Sequence, residues 1–316
     1  MPFLPDLSVL TSVYQGEKYL PSFLEGLRAQ TIFPRCELVL VLNEPSAAEK
    51  RAAKKFSLKY RRQVLVHHVE KVETLGASWN RAWQLARAPN LALWNVDDRR
   101  LPDSLDRQLS GLEEKPDWAL CYGDYIKVPK YGQVLGKRRR TPPYRAGHFR
   151  RAFAQGGAFW VFRRQISEEV GYFDEQFTVA ADMDFSFRIA ARGLQMGRCD
   201  GLLGYFTDDQ GGLSTRDGAQ RAFIERTAVQ VRYGVFDKVQ PQWLKAANHY
   251  RFNEVKNFEE WRALSQYLPA QADYLRSRRH LWIVGSLRNF LRNLLERLGL
   301  LKLAYRIQER IFRREI

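Results

Sequence analysis

The sequence predicts an α/β protein built on a mostly parallel sheet that helices flank on both faces. Up to residue 128, short β-rich runs alternate with stretches of helical periodicity. The β-rich runs are almost continuously apolar, which is typical of parallel strands buried under helices. Sheets of this kind bind ligands at the carboxyl ends of their strands. An acidic pair follows the fourth run and therefore falls where chemistry is expected.

The alternation assigns the elements in order. The predicted strands are the runs at 7–13, 37–42, 63–69, 91–96 and 119–128. The predicted helices between them lie at 16–30, 47–60 and 76–87. Farther along, the Gly-, Pro- and Arg-rich segment 129–148 predicts a long loop, 156–162 a strand, and 180–193 and 217–233 helices.

Composition favours a cytoplasmic location. The cysteines Cys36, Cys121 and Cys199 match no metal-ligand spacing and indicate a reducing compartment without disulfides. The first residues do not form a signal peptide, and no window reaches the ~18 consecutive apolar residues of a membrane span. We expect a protein that is free in the cytoplasm or peripheral on the inner face of the cell membrane.

The net charge of +16 is concentrated at one end of the chain. Residues 276–316 contain eleven Lys or Arg and three Glu, a net +8, so half of the excess lies there. Apolar residues recur at three- and four-residue steps over 281–316, with cations on the other faces. This pattern predicts a basic amphipathic helix on an anionic membrane surface, or else a helix that docks on the body of the protein. The mildly basic body argues against nucleic acid as a partner.

Asp97 and Asp98 form the acidic pair at the end of the fourth predicted strand. One interpretation is that an Asp caps a helix beginning near Pro102. The other is a divalent cation site, because Mg²⁺ and Mn²⁺ prefer carboxylate oxygens together with substrate phosphates. A second acidic pair, Asp182 and Asp184, opens the helix predicted at 180–193, where acids favour the first turn through the helix dipole. An ionised carboxylate there could also serve as a general base.

Taken in order, several segments resemble glycosyltransferase family 2, whose members are inverting enzymes with a Rossmann-like GT-A fold. The resemblance rests on LSVLTSVYQGEKYLPSFLEGLRAQT, on LGASWNRAWQLARAPNLALWNVDD, and on GGAFWVFRRQISEEVGYFDEQFTVAADMDFSFRIAARG followed by GGLST. It covers roughly residues 7 to 217. The third segment is the most specific and is similar to the acceptor-side block of non-processive members.

The resemblance implies a role for each acid. Asp98 corresponds to a ligand of a divalent metal, Mg²⁺ or Mn²⁺. Asp97 corresponds to a residue that contacts both this metal and the ribose of the donor. Asp182 corresponds to the catalytic base, and Asp184 to a secondary, orienting or structural acid. The donor-binding residues that it implies are Thr11, Tyr14, Glu17, Asn43, Gly76, Asn80 and Asp97. The acceptor-side residues are Gly157, Trp160 and Asp184.

The chain departs from the family pattern at two places. It carries NEPS, beginning at Asn43, where members often have a DDGS-like sequence that reads the nucleotide base, so the base stays open. Ala181 stands where an acid usually precedes the base. The signature and membrane spans of processive synthases are missing from the sequence, which favours transfer of a single sugar.

The predicted function is inverting, metal-dependent transfer of a sugar from a nucleoside-diphosphate-sugar to a hydroxyl of a glycan or lipid-linked saccharide, in cell-surface polysaccharide or lipopolysaccharide synthesis. Residues 1–128 would form the nucleotide-sugar-binding half of the GT-A domain and 129–235 the acceptor-binding half. Residues 236–316 would form a helical C-terminal extension. The alternatives are a nucleotidyltransferase with a related nucleotide-binding sheet, and a non-catalytic relative that binds nucleic acid or membrane.

Overall fold

A computed structural model describes residues 3–146, 157–209, 212, 220–235, 239, 241–252, 262–263, 287, 290–291, 294–295 and 297–300. Contacts divide the chain into two compact units, 1–264 and 265–316. The sheet and the helices described below all belong to the first unit.

The strands of this unit follow the predicted alternation and then depart from it. They are β1 (Leu7–Val13), β2 (Cys36–Asn43), β3 (Val64–Val69), β4 (Asn90–Leu93), β5 (Arg99–Arg100), β6 (Trp118–Val128), β7 (Lys137–Arg139), β8 (Val161–Arg163), β9 (Gln195–Thr207), β10 (Arg251–Phe252) and β11 (Arg262–Ala263). The described residues of the first nine form one sheet in the order β3-β2-β1-β4-β8-β6-β9-β5, with β7 paired on β6. Strands β10 and β11 form a separate antiparallel pair.

Strand directions place several carboxyl ends on one side of the sheet. Strand β1 is parallel to β2 and β4, and β2 is parallel to β3. The short strand β8 runs antiparallel to both β4 and β6, so β6 again runs parallel to β4. Strand β9 is parallel to β6. We call the side where β1–β4, β6 and β9 end the carboxyl edge.

Helices cover the sheet and bury its apolar strands. They are α1 (Leu20–Arg28), α2 (Ala47–Lys59), α3 (Leu75–Leu85), α4 (Ser104–Glu114), the single turn α5 (Ser167–Val170), α6 (Ala181–Ala191), α7 (Gln220–Arg232) and α8 (Pro241–Ala247). Helix α1 buries Leu20, Phe23, Leu24 and Leu27 at the predicted helical spacing. Helix α2 begins with a capping box between Ser46 and Glu49, which satisfies backbone N–H groups at its start. The three cysteines are buried and free, as predicted.

The predicted fold class is confirmed, and so is each strand and helix predicted before residue 128, within a few residues at the ends. Several features differ from the prediction, and neither β5 nor the turn α5 was predicted. The predicted loop 129–148 contains strand β7, the predicted strand 156–162 begins as a 3-10 turn before β8, and β9 was missed. Three glycines interrupt the apolar pattern of β9. Gly197 lies under the ring of Trp118, where a Cβ would overlap it, and Gly201 has a φ of +80°. The predicted helical extension, 236–316, includes α8 and the pair β10–β11, and most of its remainder lies outside the described residues.

Candidate active site

The acidic pair follows β4 at the carboxyl edge. The indole Nε1 of Trp94 donates a 3.0 Å hydrogen bond to the backbone carbonyl of Asp98 and holds the turn. Asp98 is 1% exposed, and its Oδ1 accepts the backbone N–H of Thr207, at the end of β9, at 3.0 Å. Helix α4 begins at Ser104 with Asp103 at its N-cap. The capping interpretation of the acidic pair is therefore wrong.

The surroundings of the pair disfavour its two negative charges. Burial raises the pKa of Asp98 well above its usual range, and the neighbouring charge of Asp97 adds to the shift. The pKa of Asp97 is also raised, mainly by burial and then by the charge of Asp209. A divalent cation would relieve this repulsion, and carboxylate oxygens are the ligands that hard cations prefer. The pair could supply two of the oxygen ligands of such a cation, and substrate phosphates would supply others. Over the part of the chain that the structure describes, no group of three or more His, Cys, Asp or Glu side chains is arranged to hold a metal.

The predicted donor-side residues on β1 and β2 fall into two groups. Tyr14 and Glu17 are exposed in the loop after β1, and Glu17 accepts a 3.0 Å hydrogen bond from the Ser46 hydroxyl. Thr11 is buried, and its hydroxyl donates to the Trp94 carbonyl, which ties β1 to the acidic turn. Asn43 is also buried inside a polar network. Tyr14 and Glu17 can thus meet a ligand directly, whereas Thr11 and Asn43 support the edge from within.

The network of Asn43 links two elements of the carboxyl edge. Its Nδ2 donates to the hydroxyls of Ser12, at 2.9 Å, and Ser78, at 2.6 Å. Ser78 donates in turn to Glu73, and the carboxylate of Glu73 accepts hydrogen bonds from both Nε and Nη2 of Arg81. The end of β2 is therefore fixed to the start of α3.

Gly76 and Asn80 connect α3 to the second acidic helix. Asn80 exchanges two 2.8 Å hydrogen bonds with the backbone of Phe173, in the sequence GYFDE at 171–175. A Cβ at Gly76 would lie 3.4 Å from the Cβ of Ala181, the first residue of α6. Both residues face the acceptor-side block in the structure, so their donor-binding role stays a prediction.

Asp182 lies in the first turn of α6 and is partly exposed. Its Oδ1 accepts the backbone N–H of Met183 at 2.7 Å. The N-cap of this helix is Ala180, which has no side chain that could cap it. The buried carboxylate of Glu225, on α7, accepts the backbone N–H groups of Thr178, Val179 and Ala180 instead. Glu225 could not be predicted from the sequence, because an acid within a helical pattern does not indicate which distant backbone groups it binds.

Asp184 has surroundings of another kind. It is fully buried, lies 2.9 Å from Nε of Arg188 and accepts a hydrogen bond from Nη1 of Arg232. Arg232 also donates to Asp174 at 2.8 Å. Two buried acids and two buried arginines thus neutralise each other, which favours the structural role among those predicted for Asp184.

The two other acceptor-side residues stay predictions. The ring of Trp160 is 1% exposed and lies 6.2 Å from that of Phe185, which gives it the surroundings of a core residue. Gly157 begins the 3-10 turn before β8, and residues 147–156 lie outside the described part of the chain.

Tyr125, on β6, brings the two acidic segments together. Burial raises the pKa of its hydroxyl, the guanidinium of Arg139 opposes that shift, and the charges of Asp98 and Asp182 both add to it. Tyr125 pairs with Arg139 across the β6–β7 ladder. The charges of Asp98 and Asp182, from the two acidic segments, therefore both act on this one side chain of β6.

Comparison with known sequences gives one family and two curated relatives. The family described as glycosyl transferase family 2 matches residues 8–171. An uncharacterized glycosyltransferase of Methanocaldococcus jannaschii is 24% identical over 192 residues, and a putative glycosyltransferase, EpsH, of Bacillus subtilis is 28% identical over 117. These matches cover 59% and 37% of this chain, and the chain spans 65% and 33% of the lengths of the two relatives.

Comparison with solved structures supports the same fold. S. aureus TarS, residues 1–349, in complex with UDP-GlcNAc has a TM-score of 0.59 and 16% identity, over 76% of this chain and 79% of that one. The mannosyltransferase PcManGT from Pyrobaculum calidifontis, in complex with GDP-Man and Mn²⁺, has a TM-score of 0.55 and 14% identity, over 96% and 85%. At such identities the likeness establishes the fold, which is GT-A.

Proposed function

The chain belongs to glycosyl transferase family 2 and is a glycosyltransferase with a GT-A fold, and on this premise we propose that it moves one sugar from a nucleoside-diphosphate-sugar to an acceptor hydroxyl with inversion. The observation that carries the proposal is that Asp98 and Asp182, from separate segments, both act electrostatically on Tyr125 near the carboxyl end of β6. Asp98 would help to neutralise the departing diphosphate, and Asp182 would take the proton of the incoming hydroxyl. Family membership decides against the nucleotidyltransferase and the non-catalytic alternatives.

Each residue has a distinct task in the reaction. The acceptor hydroxyl attacks the anomeric carbon on the face opposite the diphosphate, and Asp182 takes its proton as the new C–O bond forms. The bond from the anomeric carbon to the diphosphate oxygen breaks, so the configuration inverts. Asp97 and Asp98 would hold a divalent metal, Mg²⁺ or Mn²⁺, which supplies charge neutralisation to the leaving diphosphate when it is bound.

The residues of the site and the solved structures of similar proteins both support a nucleotide-sugar as the donor. Exposed Tyr14 and Glu17 flank the acidic turn on the β1 side, where a nucleoside would lie. TarS was solved with UDP and with UDP-GlcNAc, and PcManGT with GDP-Man. These complexes support a nucleoside-diphosphate-sugar here. Residues 1–128 supply most of this donor site, and 129–235 supply the base and the acceptor side.

A glycan or lipid-linked saccharide is the proposed acceptor, at the inner face of a membrane. The basic tail at 281–316 supports this proposal, although most of it lies outside the described residues. Four of its described apolar residues, Leu287, Leu291, Leu294 and Leu298, follow helical spacing and are exposed, as a membrane-binding stripe requires. In the part of the chain that the structure describes, no helix has the length and apolar character to cross a bilayer.

The proposal is tested with a panel of nucleotide-sugars in the presence of Mn²⁺, scored by slow donor hydrolysis and thermal stabilisation. Asp98→Ala should lose metal-dependent stabilisation by the donor. Asp182→Asn should keep donor binding and lose about 10²- to 10⁴-fold in transfer, the usual contribution of a general base. Asp106→Asn, a partly exposed acid on α4 that pairs with Arg35, is the control and should transfer the sugar like the wild type. Full transfer by Asp182→Asn would remove it as the base, and donor stabilisation independent of both metal and Asp98 would remove the metal assignment.

A further inference from the structure

The hairpin between β6 and β7 carries two exposed apolar side chains at its tip. Val134 is 51% exposed and Leu135 is 84% exposed. The surrounding segment 127–140, which we call the basic hairpin, contains six Lys or Arg and no acid. It leaves the sheet at the end of β6 and therefore stands on the carboxyl edge, beside the candidate active site.

The basic hairpin is fixed to the body of the protein. Asp124 is 1% exposed and accepts hydrogen bonds from Arg138, at 3.1 Å, and from the backbone N–H of Thr141, at 2.9 Å. Near the tip, Arg99 donates a 3.0 Å hydrogen bond to the backbone carbonyl of Gln133. Because both the base and the tip are anchored, the exposure of Val134 and Leu135 belongs to the folded hairpin.

Two acids form ion pairs with cations of the basic hairpin. Asp208 pairs with Lys127 at 2.6 Å, and Asp124 pairs with Arg138. The six cations and these two acids together carry a net charge of +4. The other four cations, Lys130, Lys137, Arg139 and Arg140, are all exposed. The tip is thus an apolar point surrounded by positive charge.

We propose that the basic hairpin binds the surface of an anionic lipid bilayer, with Val134 and Leu135 inserted at the interface and the surrounding cations on lipid phosphates. Charge complementarity identifies an anionic partner, since cations beside an anionic leaflet each contribute to binding. The apolar tip selects a bilayer over a dissolved polyanion, because only a bilayer removes Val134 and Leu135 from water. Docking here turns the carboxyl edge towards the membrane. That orientation suits a lipid-linked acceptor, a point that rests on the proposed function.

The test is sedimentation of the full-length protein, without donor, on vesicles of phosphatidylcholine alone and of phosphatidylcholine with phosphatidylglycerol. The variant V134S/L135S should lose about tenfold in partitioning onto the anionic vesicles, the effect expected for exposing roughly one large apolar side chain. The variant K137Q/R140Q should lose about fivefold for each cation removed on anionic vesicles, and nothing on neutral ones. Leu58→Ser, which alters an exposed leucine on α2, is the matched control and should bind like the wild type.

Two outcomes would overturn the proposal. Unchanged partitioning of V134S/L135S together with a loss in L291S/L294S would assign membrane binding to the tail alone. A loss in K137Q/R140Q with none in V134S/L135S would show electrostatic adsorption without insertion of Val134 and Leu135, and would also overturn the proposal. Asp182→Asn should sediment normally, so failure of the proposed base and failure of the hairpin proposal are separate results. Since Val134 and Leu135 are exposed, V134S/L135S should keep the thermal stability and donor hydrolysis of the wild type.

Discussion

The backbone N–H of Ala180 donates a 2.9 Å hydrogen bond to Oε2 of Glu225, a residue 45 positions farther along the chain. Oε2 also accepts the N–H of Val179 at 2.6 Å, and Oε1 accepts that of Thr178 at 3.0 Å. The segment that leads into α6 is thereby held by a residue of another helix, up to Ala180, two positions before Asp182. The proposed base thus depends on a buried carboxylate for the position of its backbone.

Replacing Glu225 should therefore affect both stability and rate. Glu225→Gln puts an amide N–H₂ against backbone donors, and we expect a loss of about 2–3 kcal/mol in the free energy of unfolding. Transfer should slow by at least about tenfold while KM for the donor is unchanged, because only the position of Asp182 moves. Urea unfolding and steady-state kinetics measure the two effects.

Glu37→Gln is the matched control for this variant. Glu37 is also fully buried and binds Ser8 and Arg87, but it lies near the amino end of β2, away from the carboxyl edge. A comparable loss of stability with a normal rate is expected. An equal loss of rate in both variants would mean that general destabilisation slows the enzyme. The hydrogen bonds of Glu225 to the segment before α6 would then not be the cause.

Asp98→Asn should stabilise the protein in the absence of metal while it removes the effect of metal. The amide oxygen can still accept the N–H of Thr207. Nδ2 of Asn95 now donates to Oδ2 of Asp98 at 3.5 Å, so the Asn95 amide has to turn over for its Oδ1 to accept from the new N–H₂. The buried negative charge disappears as well. We expect a gain of about 1 kcal/mol near neutral pH, because a buried negative charge is removed while the number of hydrogen bonds stays the same.

The pH dependence of this gain follows from the direction of the pKa shift. The pKa of Asp98 is raised in the folded state, whereas the unfolded value is about 3.9. The folded protein therefore keeps the proton more firmly, and its stability falls as the pH rises from about 4 through the raised pKa. The Tm difference between Asp98→Asn and the wild type should grow from pH 5 to pH 8. A difference that is constant with pH would contradict the assignment.

Asp184→Asn should reduce the stability of the protein, whereas Asp182→Asn should reduce the rate of transfer. Removing the charge of Asp184 leaves Arg188 and Arg232 partly unbalanced in the core. Breaking a buried ion pair in this way costs about 3–5 kcal/mol, to be measured by urea unfolding. Asp182 is partly exposed, so Asp182→Asn should lose transfer with little loss of stability. If Asp184→Asn kept its stability and lost transfer, Asp184 would have to contact the acceptor.

The sequence was informative where local chemistry and order along the chain suffice. The apolar runs predicted β1 to β4 because parallel strands bury both faces, and Asp97 and Asp98 were recognised because they follow such a run. Strand β9 was missed because its glycines are required by close packing against Trp118 and others, which no local pattern shows. Asp98 is held by Thr207, and the segment before α6 is held by Glu225. Both of these residues lie far away in sequence. Only the fold brings them to Asp98 and to the start of α6.

Gly76 provides a test of the contact between α3 and α6. A Cβ at this position would lie 3.4 Å from both the Cβ of Ala181 and the carbonyl oxygen of Asp174, so Gly76→Ala should fit within about 1 kcal/mol of the wild type. Gly76→Val adds two methyl groups that must push the start of α6 away. We expect a loss of about 1–3 kcal/mol in stability and a fall in transfer rate, with donor binding measured by thermal shift unchanged.

Gly111→Val is the control for overpacking. A Cβ at Gly111, on α4, would also come within 3.4 Å of a neighbour, the ring of Trp118, but α4 does not carry either acidic segment. It should cost similar stability and leave the transfer rate per folded molecule intact. Because Gly76 was predicted as a donor-binding residue, the result also decides between two roles. Weaker donor binding in Gly76→Val would support contact with the nucleotide, whereas a slower rate at normal donor affinity would show that Gly76 acts by positioning Asp182.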